Sequence, residues 1–226
     1  MARSWSSFEF FLRSAKPLLI RDYGELAGNV IIGRTRAEYE GLSLQVPDIG
    51  GRRNVFQPVM AVNACLVALY RAMSIRGEPP QAAVRIFQQI FEGWLKKLPT
   101  FLLNSIGRLM LWAPLRLYFE AQARRSQKRL YPEDFVWRVE RTPVGEFSLV
   151  FEECAVNKWY EALGVLELKP YCNFVDVTYS RLMGMGVDAA ETIGVGCERC
   201  ALRFKYGRET IVPPNLSRII SSDTSR

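Results

Sequence analysis

The chain of 226 residues contains no histidine. That absence removes the usual general base for serine and cysteine nucleophiles and the commonest ligand for zinc, copper and iron. Chemistry here falls to thiols, carboxylates, phenols, amines and backbone dipoles. The sequence also lacks a long uninterrupted apolar run. Its best membrane candidate, Leu98 to Leu115, carries Asn104 and Arg108 in the middle and Pro114 near the end, which reads as a buried helix rather than a span. The opening MARSWSSFEFFLRSAKPLLIRDYGEL has neither the apolar core nor the small-residue cleavage site of a secretory leader. Helix-turn-helix, zinc-finger and ribonucleoprotein patterns are absent too, so the formal net charge of +7 is not read as a nucleic-acid footprint. Five cysteines, an odd number without a leader, fit a reducing cytoplasm, and the expected location is cytoplasmic.

What is present divides by period. Val55, Val59, Val62, Leu66, Leu69 and Met73 recur at helical spacing, with Phe56, Met60, Val67 and Tyr70 as a second apolar stripe, so this helix is expected to be buried on most sides. Gly77 and Pro79-Pro80 end it. Residues Gln81 to Lys97 form an amphipathic helix, and a third runs from about Pro99 to Leu130, bent or interrupted at Pro114. The period then becomes two. Phe135, Trp137 and Val139 alternate, Thr142-Pro143-Val144-Gly145 turns, and Phe147, Leu149 and Phe151 alternate again. A short helix covers Val156 to Leu163 and another follows Pro170; a second strand pair is expected over about 188–195 and 200–206. The expected fold class is α+β: long helices packed on one face of a small antiparallel sheet. The chain reads as a single domain, helical over about 1–130, sheet over about 131–207, with a loose tail over 208–226.

Four of the five cysteines fall between Cys154 and Cys200. Cys197 and Cys200 form a C-x-x-C pair. It has no second half for a zinc site, and it precedes a strand rather than opening a helix that would activate a thiol. Half a metal site, a redox pair and simple core filling all stay open for it. Cys65, in the middle of an apolar helix, reads as core. Cys172 and Asp176 stand four apart, which on a helix begun by Pro170 places a thiol and a carboxylate on one face. A bare carboxylate raises a thiol pKa, so activation needs a further donor, for which Thr192, Lys158, Lys169 and Arg181 are available. Asp176 solvating a helix face is the competing reading. Pro47-Asp48-Ile49-Gly50-Gly51 followed by Asn54 is a tight loop that either presents backbone N–H groups to an anion or is only a turn; it is neither a P-loop nor a dinucleotide fingerprint.

The order VPDIGGRRNVF, ALYRAM, SQKRLYPEDFVWRVE, EFSLVFEECAVNKWYEALGVLELKPYCNFVD and ETIGVGCERCALRFKYG, over roughly residues 40 to 207, resembles the L-2-amino-thiazoline-4-carboxylic acid hydrolase family. The resemblance rests most on Cys154, Cys172 with Asp176, and Cys200. It implies an α+β fold, no required cofactor, and hydrolytic opening of a cyclic amidine, in which a thiazoline carboxylate becomes an N-carbamoyl cysteine. Cys154-Ala155 stands where the family usually has Cys-Pro, and Cys200-Ala201-Leu202 where it usually has Cys-Asp-Phe, with Glu198 as the nearby carboxylate. Another small C=N heterocycle, met in a biosynthetic pathway, therefore fits as well as the thiazoline.

The expected activity is a cysteine-dependent hydrolase. Cys172, or alternatively Cys200, attacks the C=N carbon, Asp176 holds the amidine nitrogen and relays a proton, and Thr192 steadies the developing charge. Asn54, Cys154 and Glu198 are the expected substrate contacts, with no metal and no cofactor. The expected partner is a small molecule bearing a carboxylate, drawn in by Lys158, Lys169 or Arg181, with no nucleic acid and no membrane; a homo-oligomer is compatible. Two other classes stand beside this one. One is a non-catalytic module of the same fold that binds a ligand or a soft metal. The other is a lyase whose thiols grip a soft ion while the carboxylate delivers a proton to a cleaved carbon–metal bond.

Overall fold

Helices fill most of the chain from Ala2 to Ser126, and beyond it strands are interspersed with shorter helices. The computed structural model describes residues 2–143 and 145–220. Val144 of the expected turn and residues 221–226 of the expected tail lie outside the described residues. The chain forms two compact units, one from Met1–Pro47 with Phe56–Ile90, the other from Asp48–Val55 with Phe91–Arg226.

In the first unit, α1 (Ala2–Tyr23) and α2 (Glu25–Ser43) precede α3 (Gln57–Ser74) and the start of α4 (Pro80–Leu95). Helix α2 buries Gly28, Ile31, Thr35, Tyr39 and Leu42, a three-and-four spacing that makes one inward stripe. The Phe8 ring stacks on Tyr39 with centroids 3.7 Å apart, and Phe11 meets Phe87 at 5.1 Å. In α3 the residues from Ala64 to Tyr70 are all buried. Its first turns differ from expectation: Val59 and Val62 are exposed, and Met60 faces in instead. Cys65 is buried here, its thiol pushed up to about 12 by desolvation.

The second unit holds α5 (Thr100–Met110), α6 (Ala113–Ser126), β1 (Val136–Glu140), β2 (Glu146–Glu153), α7 (Ala155–Ala162), α8 (Phe174–Met183), β3 (Val187–Asp188) and β4 (Cys200–Lys205). The expected helix over 99–130 is two helices, because Pro114 sits in the first turn of α6, where its missing N–H costs nothing, and the chain breaks just before it. Helix α5 is not the buried helix expected. Leu103 and Gly107 are buried, whereas Phe101, Leu109 and the following Trp112 are exposed. Among the described residues no helix is long and apolar enough to cross a membrane.

The sheet is antiparallel throughout, in the order β1-β2-β4-β3. Phe135, Trp137, Phe147 and Leu149 are all buried, as their alternation requires. Phe119 of α6 lies against Trp137 and Phe147, and Tyr179 of α8 stacks on Phe204, so helices cover the face that carries Phe147, Leu149 and Phe151. Cys200 pairs with Phe151 and Leu202 with Leu149, which puts Cys200 on that same face. The outer face carries Arg138 paired with Glu152 and Glu140.

Three expectations need correction here. The strand over 188–195 is only Val187–Asp188, because the chain beyond it turns into the 3₁₀ segment Ile193–Val195 and directs its N–H groups at sulfur instead of at a neighbouring strand. Pro170 does not open a helix. It lies inside the 3₁₀ segment Leu166–Tyr171, and α8 starts at Phe174. The tail is docked as far as Ile220: Leu216, Ile219 and Ile220 are buried, and the Asn215 amide donates to the Pro170 carbonyl and to Asn173 Oδ1.

Candidate active site

The elements of the second unit bring four of the expected residues together. Cys154 follows β2 and occupies the cap position of α7, where the N–H groups of Val156 and Asn157 favour its thiolate although the thiol makes no cap hydrogen bond. Cys172 lies just ahead of α8 and Asp176 in its first turn, and Cys172 already has helical backbone angles, so the four-residue spacing still puts both on one side. Cys200 opens β4 on the helix-covered face. Cys172 lies within electrostatic range of Cys154, Cys200 and Asp176. Cys154, Cys172 and Asp176 are half-buried and Cys200 is buried, a grouping at the border between interior and solvent.

Two successive backbone amides complete the group. The Ile193 N–H donates to Cys200 Sγ at 3.2 Å, and the Gly194 N–H donates to Cys172. Gly194 is required there by crowding. A Cβ on it would stand 2.0 Å from the Lys169 carbonyl oxygen and 2.9 Å from Cys172 Sγ.

Proton affinities follow from this enclosure. Burial pushes the Cys154 thiol up to about 11, against the two amides that favour its thiolate. Burial, then the neighbouring Cys154, raises Cys200 to about 12. Cys172 is held well above the ordinary thiol range by burial, then by Cys154, Cys200 and Asp176. Asp176 rises from 3.8 to about 6 through desolvation, opposed by the Tyr179 hydroxyl, which donates to its Oδ1 at 3.1 Å. At neutral pH the group therefore rests as protonated thiols beside an ionised carboxylate, and a thiol proton moves only when a reacting partner draws the sulfur.

The other expected residues fall elsewhere or have other engagements. The Asn54 amide donates to the Ile49 carbonyl at 2.5 Å and to Asp134 Oδ1 at 2.8 Å, beside a small pocket lined by Tyr131, Asp134 and Trp137. The Gly50 and Gly51 N–H groups are taken by Asp48 Oδ1 at 2.9 and 2.8 Å, so this loop is an internally closed turn rather than an open anion cradle. Glu198 and Cys197 are exposed on the turn before β4, and all five cysteines are free thiols. Lys158 is held by Glu153 and by the Pro132 and Asp134 carbonyls, Lys169 by Glu161, and Arg181 by Glu92, so the basic residues expected to ring the cleft are each paired with a carboxylate. Among the described residues no group of three or more cysteines and carboxylates is arranged to hold a metal ion.

Thr192 is buried, and its hydroxyl neither caps the following 3₁₀ segment nor has a hydrogen-bond partner elsewhere in the protein. Four residues not among the expected site residues join the group. Asn157, three after Cys154, is buried with both ends of its amide unpartnered. Tyr160 lies within electrostatic range of Cys172 and Cys154, Tyr179 bonds Asp176, and Gly194 serves Cys172. The helical spacing from Cys154 to Asn157 and Tyr160, and from Asp176 to Tyr179, was the available signal. Against known proteins, no family model, no curated protein and no solved structure matches this chain.

Proposed function

We propose that the chain is a cysteine-dependent hydrolase that opens a small ring containing a C=N bond. The observation that carries this reading is the grouping of Cys172 and Asp176 at the start of α8 with Cys200 of β4, with an acid of pKa about 6 among neutral thiols. A carboxylate with that affinity takes and returns protons near neutral pH, the task histidine performs elsewhere. The resemblance to thiazoline-carboxylate hydrolases points to the same class of ring.

In this mechanism the Cys172 thiol gives its proton to Asp176 as sulfur bonds to the ring amidine carbon. The C=N electron pair moves onto nitrogen, which takes that proton from Asp176. The bond from this carbon to a ring heteroatom then breaks. The heteroatom leaves with the electron pair and a proton relayed by Asp176 as C=N re-forms, and the opened product stays attached through Cys172. Water adds across that C=N with Asp176 as base, the carbon–sulfur bond breaks, and a carbonyl product and the Cys172 thiol are released. The Ile193 and Gly194 amides favour sulfur as it carries negative charge.

The test is turnover of 2-amino-2-thiazoline-4-carboxylate and other cyclic amidines by wild type, Cys172→Ala and Cys200→Ala. Loss of about a thousandfold or more in a folded Cys172→Ala protein is expected. Wild-type rates in both variants, or no cyclic amidine consumed by wild type, would overturn the proposal.

A further inference from the structure

Around α7 three residues define one face. Asn157 and Tyr160 stand three apart inside α7 and share one face, and the Asn157 N–H lies beside the sulfur of Cys154 at the cap. Cys154 and Tyr160 both lie within electrostatic range of Cys172. The face between them is therefore turned to the same group of thiols, and Asn157, only 2 % exposed, sits on it. Its Nδ2 and Oδ1 have no protein partner. Across the group, Thr192 immediately precedes the two amides that serve Cys200 and Cys172; it is 1 % exposed and its Oγ1 is likewise unpartnered. Buried amides and hydroxyls are nearly always hydrogen-bonded, so three such atoms beside one thiol group mark a ligand's place. A carboxamide offers a donor and an acceptor side by side. The cation within electrostatic range of Cys154, Lys158, is held by Glu153 and two carbonyls, so recognition falls to neutral groups.

We infer that Asn157 and Thr192 are the substrate-recognition residues of this site, and that they read an uncharged ring edge with an N–H next to an acceptor, as in a cyclic amide, urea or amidine. This rests on the thiol group being the hydrolase site proposed above. In a catalytic cycle Asn157 aligns the ring so that its amidine carbon faces Cys172, while Thr192 accepts from or donates to the exocyclic position.

The probe is 2-imidazolidinone, a cyclic urea, with N,N′-dimethyl-2-imidazolidinone as the analogue lacking N–H, titrated calorimetrically into Cys172→Ala protein. The parent urea should bind and the dimethyl compound should not, because a site built for a hydrogen bond rejects the ligand that lacks it. Asn157→Leu and Thr192→Val, added separately, should each weaken binding about tenfold or more while melting at or above the parent temperature, since each removes a buried polar atom without a partner. A residue with a merely structural role would lower the melting temperature and leave affinity alone. Should Asn157→Leu fail to fold, Asn157→Asp, which keeps the shape and loses the amide donor, and Thr192→Val carry the test. Equal binding of both probes, binding of neither, or unchanged affinity in the variants would overturn the inference. Turnover of 2-amino-2-thiazoline separates it from the function itself. Turnover with an unchanged KM in both variants would sink the inference and leave the hydrolase standing. Binding that depends on Asn157 without turnover in wild type would do the reverse.

Discussion

Beside Asn54, the buried polar groups are matched by hydrogen-bond partners. Asp134 Oδ1 receives the Asn54 amide and the Phe135 N–H at 2.8 and 2.7 Å, its backbone carbonyl receives Lys158, and Asp48 closes the glycine loop. Around Cys172 the same unit does the opposite: it gathers three neutral thiols beside a carboxylate that opposes their ionisation, and leaves the side chains of Asn157 and Thr192 without hydrogen-bond partners. Both places raise the pKa of an aspartate by burial, Asp134 and Asp176 alike. They differ in what surrounds the acid. Asp134 is met by an amide, a backbone N–H and the charges of Lys158 and Arg125, whereas Asp176 has a tyrosine hydroxyl and its own backbone N–H. A buried polar group that is fully matched stabilises its surroundings, and one left poised is a reserve for chemistry. The pocket beside Asn54 has room for about one water-sized guest, which also fits a structural tie better than a substrate site.

Asp176→Asn sharpens the contrast most. The pKa of Asp176 rises on folding from 3.8 to about 6, so the folded state binds its proton more tightly and stability falls as pH rises through that window. Below about pH 3 both states are protonated and the substitution should be neutral on this account. Above about pH 6 the variant should be more stable than wild type by up to about 3 kcal/mol, less what residual solvent screening removes. Urea unfolding at about pH 3 and about pH 8 measures this, and a variant less stable than wild type at the higher pH would break the comparison. Turnover should fall by about 10²- to 10⁴-fold, and the limb of the wild-type pH–rate profile that rises through about pH 6 should vanish with it.

Gly194→Ala should come next. The added methyl collides with the Lys169 carbonyl and with Cys172, the turn must shift, and the two amides move off the thiols. A loss of about 1–3 kcal/mol in urea unfolding is expected, together with reduced turnover. Unaltered values for both would remove the crowding argument.

Asn54→Ala tests the other side. It deprives the buried Asp134 carboxylate of a donor and should cost about 1–2 kcal/mol of stability while leaving turnover of a cyclic amidine intact. Turnover lost in step with Cys172→Ala would place Asn54 in the reaction after all. The smallest effect is expected of Cys197→Ser. Cys197 is exposed on a turn, so the change should stay within about 0.5 kcal/mol and remove the thiol that iodoacetamide reaches first in native protein. Fast alkylation persisting in that variant would show that one of the enclosed thiols is open.

The sequence by itself determined the periods. Alternation from Phe135 to Phe151 set both strands of the hairpin and the burial of Phe135, Trp137, Phe147 and Leu149, though not that of Val136, Ser148 and Val150 on the other face, and the helical spacing before it set α3 and α4. The four-residue spacing also pointed to Cys172 and Asp176 sharing a side, and they do so although Pro170 opens no helix and α8 begins only at Phe174. Local spacing does not say what a face will meet. The exposure of Phe101 and Trp112, the docking of Leu216 and Ile220, and the shortness of β3 each depended on a neighbour distant in sequence or on its absence. The same holds for the site. That Cys154, Cys172 and Cys200 gather beside one carboxylate, that burial raises Asp176 to about 6, and that the Asn157 side chain is buried without a hydrogen-bond partner were decided only by tertiary structure, because desolvation and charge–charge distance arise when separate elements close on one another.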